Sequence, residues 1–366
     1  AMKPVTVPVM QDLPADQERE SFIHIRGNYK NSGDQVHRGT PAVFHPVDES
    51  LPSNRLQLAH WLIDSENPLT ARVIVNRFWE QIFGTGIVAT SEEFGSQGDQ
   101  PTHPELLDWL AIEFQESGWD VKALLKLMVT SATYRQVSEL TPELEDKDPF
   151  NRFYARAPRF RIPAEMIRDQ ALFVSGLISD KMHGEPVNPP QPDLGLKAAF
   201  GAKTDWVTSQ GEDRYRRGIY TSWRRSSPYP SMATFDAPNR EICTSRRIRT
   251  NTPLQALVTL NDPVYVEAAQ ALARQSIEQG GDTVEGQIAH AMQTALLRYP
   301  KNDEVERLAK LYEESRVEFS NQPEAAETLA TNPIGPLPEG TNATELAALT
   351  LVGNVILNLD EIFLKR

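Results

Sequence analysis

The sequence predicts a mainly α-helical protein, an irregular bundle of many helices with a few short strands. Apolar residues recur at helical spacing over most of the chain from residue 53 onward. Residues that start and stop helices bound these stretches; for example, Thr252-Pro253 followed by Gln255 is a start signal. Alternation of apolar and polar residues, the pattern of a β-strand, is confined to short stretches. Strands are therefore expected only in the N-terminal arm and in residues 214–250.

The composition is that of an ordinary globular protein with a sizeable core. The chain has 366 residues, of which 40% are hydrophobic, and carries a formal net charge of −13. This acidity argues against general nucleic-acid binding, which needs a basic face. The single cysteine, Cys243, excludes an internal disulfide and every cysteine-based metal cluster. The sequence contains no run of 18 apolar residues, so it predicts no membrane span.

Two regions differ in periodicity. Residues 1–52 have little helical period and many turn-forming residues, and are expected to form an extended arm that packs on a helical body. Within the arm, residues 21–29 alternate apolar and polar side chains and predict one short strand. Residues 53–366 are expected to form that body as a single large domain.

The helix that follows Asn67-Pro68 is apolar nearly all round and ends at Gly84, so it is expected at the centre of the fold. Arg72, Asn76 and Glu80 recur every four residues and form one polar stripe on it. Later helices have recognisable start signals: a Thr102–Glu105 capping box, Asp120, Pro163, and a Thr252–Gln255 capping box.

Two proline-rich stretches interrupt the helical pattern. Residues 180–213 contain Pro186, Pro189, Pro190 and Pro192 and predict a long loop or flap. Residues 320–340 are also rich in proline and predict a linker.

The strongest local anomaly is an arginine-rich segment, residues 214–250. It contains nine arginines, no lysine, and only two acids, Asp236 and Glu241. Guanidinium is planar and weakly hydrated and binds carboxylate, sulfate or phosphate at two points, whereas lysine would serve solubility equally well. The candidate ligand-binding residues are Arg216, Arg217, Arg224, Arg225, Arg246 and Arg247, with the aromatic residues Tyr220 and Trp223.

Three interpretations of the segment stay open. In the first interpretation, its arginines pair internally with Glu80, Glu165 and Asp169, because buried arginines need acidic partners. Alternatively, they line a cleft for an acidic or sulfated glycan, or they meet another domain.

Chemistry at the segment is a further alternative. Glu165, Asp169 and Asp236 are candidate acid–base residues of a carbohydrate-active hydrolase, lyase or oxidoreductase. Nucleophile-elbow, phosphate-loop and dinucleotide motifs are absent. No histidine pair or carboxylate run has metal-ligand spacing, so we expect no metal site.

Several long motifs together carry a family resemblance. They are NPLTARVIVNRFWEQIFGTGIV, SGWDVKALLKLMVTSATYRQ, RFRIPAEMIRDQALFVSGLI, YRRGIYTSWRRSSP, FDAPNREIC and RRIRTNTPLQALVTLNDP. From about Val9 onward, the chain resembles the C-terminal domain of unknown function of large planctomycete and verrucomicrobial proteins that carry an N-terminal cytochrome-c-like domain.

The resemblance implies an exported, periplasmic or surface-associated multidomain protein, and it supplies no catalytic residue. The haem-attachment signature Cys-x-x-Cys-His is absent, so this chain is expected to hold no cofactor, and haem c would belong to another part of the parent protein. The leading hypothesis is an accessory module that engages an anionic glycan, or the parent's N-terminal domains, through the arginine-rich segment. A purely structural role for these arginines is the other alternative.

Overall fold

The computed structural model describes residues 6–192, 206–225 and 227–365. It is 48% helical, and its described part holds 14 α-helices and two small two-stranded sheets, which confirms the predicted mainly α-helical class. Internal contacts divide the chain into two compact units, Ala1–Pro158 and Arg159–Arg366. A single domain over residues 53–366 stays a prediction, because a division by contacts does not show whether the units unfold together.

The first unit begins with an antiparallel hairpin of β1 (Ser21–His24) and β2 (Ser32–Val36), which supplies the strand predicted at residues 21–29. Five helices follow: α1 (Arg55–Ile63), α2 (Thr70–Phe83), α3 (Pro104–Glu116), α4 (Val121–Thr130) and α5 (Pro142–Lys147).

Side chains of α1 hold the residues that precede it. Arg55 donates from Nε to an Asp12 carboxylate oxygen at 2.9 Å and from Nη2 to the Met10 carbonyl at 3.0 Å. The Trp61 indole N–H donates to the His45 carbonyl at 2.8 Å, and the two rings stack. These contacts show that the arm is anchored on α1.

The core of the first unit forms around α2, as its all-round apolarity predicts. Val75, Trp79 and Phe83 are buried, and the Trp79 and Phe83 rings stack with centroids 4.1 Å apart. The helix ends at Gly84 with φ +82°, the left-handed conformation that glycine adopts without steric cost.

The start of α3 differs from the prediction. The Thr102 side chain does not cap the helix, because its hydroxyl donates to the Ile87 carbonyl at 3.3 Å. The helix begins instead at Pro104, where proline replaces an N–H that would have no helical partner.

The second unit contains strands β3 (Phe160–Arg161) and β4 (Leu364–Lys365) and nine helices. The helices are α6 (Ala164–Val174), α7 (Pro230–Thr234), α8 (Pro253–Asn261), α9 (Pro263–Gln279), α10 (Val284–Leu296), α11 (Asn302–Ser320), α12 (Pro323–Thr331), α13 (Ala343–Leu357) and α14 (Asp360–Phe363), all within the described residues. Ala268, Ala269 and Leu272 of α9 are buried in one cluster with Leu346 and Leu349 of α13. Small residues permit close approach, since a Cβ added at Gly353 of α13 would lie 3.0 Å from the Ala269 carbonyl oxygen.

Helix α12 lies in the stretch predicted as a linker, residues 320–340. Its proline, Pro323, occupies the first turn and starts the helix instead of breaking it. Ala326 and Ala330 are fully buried, so this segment belongs to the core.

Extended structure in the arginine-rich segment is limited, among its described residues, to single-residue bridges at Arg216, Thr221, and Arg224 with Ser227. The regular strand pairing of the second unit is instead between β3 and β4, with Phe160 opposite Lys365 and Arg161 opposite Leu364.

Residues 180–192 and 206–213 of the predicted flap lack regular helices and strands apart from a short 3-10 turn starting at residue 211, whereas residues 193–205 lie outside the described residues.

Candidate functional site

The candidate site is the arginine-rich segment of the second unit and the helix that it contacts, α6. Glu165 and Asp169 lie one turn apart on α6. Arg247 donates to both Glu165 carboxylate oxygens, at 2.6 and 3.2 Å. Asp169 accepts from Arg217 Nε at 3.1 Å and from the Gly218 backbone N–H at 2.5 Å. Both carboxylates are therefore occupied by groups of the segment itself.

Burial raises the pKa of Glu165, but the hydrogen bonds from Arg247 and the charges of Arg247 and Arg240 outweigh it, so the net pKa lies below its ordinary value. An ionised carboxylate accepts hydrogen bonds and has no proton to donate. In this arrangement Glu165 holds the segment on α6 through Arg247.

Asp236, the third candidate acid, stabilises a turn within the segment. Its backbone is left-handed, with φ +62°, and its carboxylate accepts from the Thr250 backbone N–H at 2.7 Å and from the Thr250 hydroxyl at 2.8 and 3.0 Å. Gln255 of the predicted capping box, which is confirmed, donates to the same hydroxyl at 3.1 Å. Asp236 thus joins the middle of the segment to its last residue, Thr250, and Gln255 joins Thr250 to the first turn of α8.

A buried polar cluster lies beneath the segment. Arg214 binds the Glu267 carboxylate of α9 at two points, with Nε 3.0 Å from one oxygen. Arg168 of α6 is 2% exposed and donates from Nη2 to the carbonyls of Arg214 and Arg216. Within the described part of the chain, Arg168 Nε and Nη1 have no hydrogen-bond partner.

Asp262, which precedes α9, belongs to this cluster and is 2% exposed. Burial raises its pKa to about 6, against lowering contributions from the Val264 N–H and the charge of Arg168. Sequence reasoning missed Glu267 and Asp262 as members of the site. One feature of the sequence could have indicated Glu267: it is a single acid among mostly alanine residues on a helix, and such an acid needs a buried partner.

Arg216 is 1% exposed, although it was predicted to bind a ligand. Its guanidinium donates to the carbonyls of Lys181, His183 and Glu185, and its Cζ lies 3.7 Å from the centroid of the Tyr220 ring. The Tyr220 hydroxyl accepts from the His183 N–H at 2.8 Å. Arg216 and Tyr220 together fix the first residues of the predicted flap.

The remaining arginines lie nearer solvent. Arg224 and Arg225 are exposed, and neither forms an ion pair among the described residues. Arg240 lies over the Trp223 ring at 4.9 Å, and its backbone is left-handed with φ +62°. Arg246 is also exposed and has an interaction of its own.

The structure therefore divides the predicted ligand-binding residues into three groups. Arg216 and Tyr220 hold the loop at residues 181–185. Arg217 and Arg247 bind acids of α6. Arg224, Arg225 and Arg246 are exposed, beside a half-buried Trp223.

Glu80, the other acid proposed as a partner, has its own contact in the first unit. It is buried and accepts from the Ser91 hydroxyl at 2.5 Å, while Asn76 bonds to Ser91 and to both backbone groups of Val88. Two members of the predicted polar stripe, Asn76 and Glu80, thus form a buried hydrogen-bonded network, whereas the third, Arg72, is partly exposed and pairs with Asp108 at 2.7 Å.

Among the described residues, no cluster of three or more histidine, cysteine, aspartate or glutamate side chains has the arrangement of a metal site. The same residues contain no helix with the length and apolarity needed to span a membrane.

Residues 54–312, more than two thirds of the chain, match the profile of a family described as PSD1, protein of unknown function (DUF1553). Neither the curated proteins nor the solved structures contain a match to the chain.

Proposed function

Since the chain belongs to the DUF1553 family, whose description assigns no activity, we propose a function from the site alone: binding of an anionic glycan, acidic or sulfated, through the exposed side of the arginine-rich segment. The proposed site comprises Arg224 and Arg225, which are exposed, and the adjacent half-buried Trp223 with Arg240 over its ring; it is called here the Trp223 face.

The observation that carries the proposal is the exposure of Arg224 and Arg225 without an ion-pair partner among the described residues. Arg214, Arg217 and Arg247 of the same segment each bind a carboxylate of the second unit. Arg224 and Arg225 are adjacent cations without an ion pair among the described residues, in a protein of net charge −13, so they are available to an external anion.

The conformation of Arg240 supports the proposal independently. Left-handed backbone is costly for a residue with a side chain, and such strain concentrates at functional sites. Here it places a guanidinium over an indole ring whose N–H donates to the Asn239 carbonyl at 3.3 Å. An aromatic ring can stack on a sugar while adjacent guanidinium groups bind its sulfate or carboxylate.

The setting of this activity follows from the resemblance described above. In that setting, the chain is an accessory module of an exported multidomain protein, the parent's N-terminal domains are its neighbours, and any haem c lies in those domains.

Calorimetric titration tests the proposal. The probes are a sulfated polysaccharide and a polyuronate, with neutral dextran as the ligand control. The Arg224→Ala, Arg225→Ala double variant is expected to weaken binding about tenfold or more, because charge-assisted contacts contribute roughly 1.5–3 kcal/mol each. Binding of both anionic probes should also weaken with added salt.

A matched variant makes the titration specific. Arg307 and Arg316 are exposed arginines of α11, so their double alanine variant removes the same charge at another place. It should bind as the unchanged protein does. Absence of binding, or an equal loss in both double variants, would overturn the proposal.

A structural role for the other arginines is a second candidate, favoured by the ion pairs with Glu165, Asp169 and Glu267. The two roles belong to different residues. Alanine at Arg217 or Arg247 should lower stability and leave glycan binding unchanged; reduced binding without reduced stability would contradict this division.

A further inference from the structure

A cavity of about 670 Å³ lies between the N-terminal arm and the start of α1 in the first unit. Its walls come from arm residues between 12 and 51 and from residues 53–58. Pockets that bind small molecules in proteins usually have volumes of about 300–1,000 Å³. The cavity is therefore large enough for a small organic ligand, and none of its residues belongs to the Trp223 face.

Two arginines hold the walls of the cavity together. Arg38 donates to the Ser53 carbonyl and pairs with Glu18 at 2.5 Å. Arg55 pairs with Asp12 at 2.9 Å. Because these bonds join the arm to the start of α1, a ligand meets walls that are already in place and loses less free energy in ordering them.

Apolar side chains line part of the cavity without being covered by the protein. Leu58 is 46% exposed, and Val47 and Leu51 are half-buried. A ligand that covers these side chains removes apolar surface from water, which favours binding. The lining therefore suits a ligand with an apolar body.

One carboxylate of the cavity lacks a cationic partner. Arg38 and Arg55 already bind the acids Glu18 and Asp12, whereas Glu49 forms no ion pair within the described part of the chain. The Gln57 side chain donates through its nitrogen to two backbone carbonyls, so its oxygen is left as an acceptor. A positively charged group with N–H donors complements both Glu49 and Gln57.

We propose that this cavity binds an organic amine, whose ammonium group pairs with Glu49 while its apolar body covers Leu51 and Leu58. The Trp223 face is cationic and takes anions, so the two sites bind ligands of opposite charge. Each site can therefore be tested without the other.

Calorimetric titration of the 366-residue chain at pH 7 tests the charge preference. The probes share one indole body: tryptamine carries an ammonium group, tryptophol a hydroxyl and indole-3-acetate a carboxylate. Tryptamine should bind about threefold to fivefold more tightly than tryptophol, as expected for a partly exposed ion pair, and indole-3-acetate should bind more weakly than either. Equal affinities for the three probes, or no binding of tryptamine at about 10 mM, would overturn the proposal.

Two pairs of variants locate the binding in this cavity. Glu49→Gln should remove the preference for tryptamine over tryptophol, whereas Glu139→Gln, at an exposed acid of the same unit outside the cavity, should keep it. Leu58→Gln should weaken both probes several-fold, because part of the apolar lining is lost. Leu62→Gln lies one turn later on α1, at a side chain 42% exposed and outside the cavity, and should leave both affinities unchanged.

Stability separates lost binding from a damaged fold. All four substitutions are at exposed positions, so each unfolding temperature should stay within about 2 °C of the unchanged protein. Weaker binding in the cavity variants alone supports the proposal. Unchanged affinities in both cavity variants, or equal losses in their controls, would contradict it.

Discussion

Arg216, which is buried, forms a cation–aromatic pair with the half-buried Tyr220, and its guanidinium carbon lies 3.7 Å from the ring centroid. The same guanidinium donates to three backbone carbonyls of residues 181–185, two of which flank Gly184 in its left-handed conformation. An arginine offered by the sequence as a ligand contact is therefore an internal support for the adjacent loop.

Replacing Arg216 by methionine keeps an apolar chain over Tyr220 but removes every donor to the three carbonyls. We expect the free energy of unfolding to fall by about 2–4 kcal/mol, because the three hydrogen bonds of a buried guanidinium are lost. Urea denaturation measures this loss, with the exposed Arg225→Met as control, expected within about 0.5 kcal/mol of the unchanged protein. A loss below about 1 kcal/mol at Arg216 would show that the carbonyls find other donors.

Asp262 makes the second unit sensitive to pH. Its pKa is about 6 in the folded state against an ordinary value of 3.8, so the folded state binds its proton more tightly than the unfolded state. Stability is consequently highest below the unfolded pKa and falls as pH rises towards 6. Asp262→Asn keeps a capping acceptor for α9 and removes this titration.

The asparagine variant should therefore be more stable than the unchanged protein by about 3 kcal/mol above pH 7 and no more stable near pH 4. Denaturation across this range measures the difference, with the exposed Asp282→Asn as control. A constant difference between the two proteins at all pH values would be inconsistent with a titrating Asp262.

The Glu165–Arg247 pair should show a coupling free energy of about 0.5–1 kcal/mol at pH 7 in a double-mutant cycle, since Arg247 is partly in solvent. The folded pKa of Glu165 is lowered from 4.5, so this contribution is present above the unfolded pKa and is lost as pH falls through the folded value. Coupling that is equally large at pH 7 and in strong acid would mean that charge does not hold the pair together.

In the first unit, Ser91→Ala removes the hydroxyl that donates to the buried Glu80 carboxylate. Stability should fall by about 1–3 kcal/mol, because a buried acceptor loses its donor. Adding Glu80→Gln should recover part of the loss, since the amide supplies its own donor in place of the lost hydroxyl. If the double variant is less stable than Ser91→Ala alone, the cost has another origin.

Arg240 allows backbone strain and ligand contact to be separated. Arg240→Ala and Arg240→Gly both remove the guanidinium over Trp223, but only glycine relieves the left-handed strain. The glycine variant should be more stable than the alanine variant by about 1 kcal/mol, and both should bind the sulfated polysaccharide equally weakly. Undiminished binding in both variants would remove Arg240 from the Trp223 face.

The spacing of apolar residues and the residues that start and stop helices predicted much of the fold. The apolar helix before Gly84 is central, and the Thr252–Gln255 capping box and the Asp120 cap form, because each depends on contacts within a few residues. The same local reasoning was wrong at Pro323, where proline starts a helix. Buried Ala326 and Ala330 show that long-range packing decides this stretch.

The candidate site could be predicted only in outline. Pairing of Glu165 and Asp169 with arginines was weighed from the sequence, whereas the particular partners, Arg247 and Arg217, lie 82 and 48 residues away. No local rule selects among nine similar arginines at such distances. Arg216 looked like its neighbours in sequence, and only its three carbonyl partners distinguish it.

The pairing of Phe160 with Lys365 imposes an order on biosynthesis. The opening strand of the second unit leaves the ribosome some 200 residues before its partner, so it has no edge to pair with until residues 364 and 365 have been made. The helices between them can pack earlier through nearer contacts, as α9 does with α10. Closure of β3 on β4 is then a late event, and a nascent chain stalled shortly before residue 364 would hold an almost complete helical core with its first strand still unpaired.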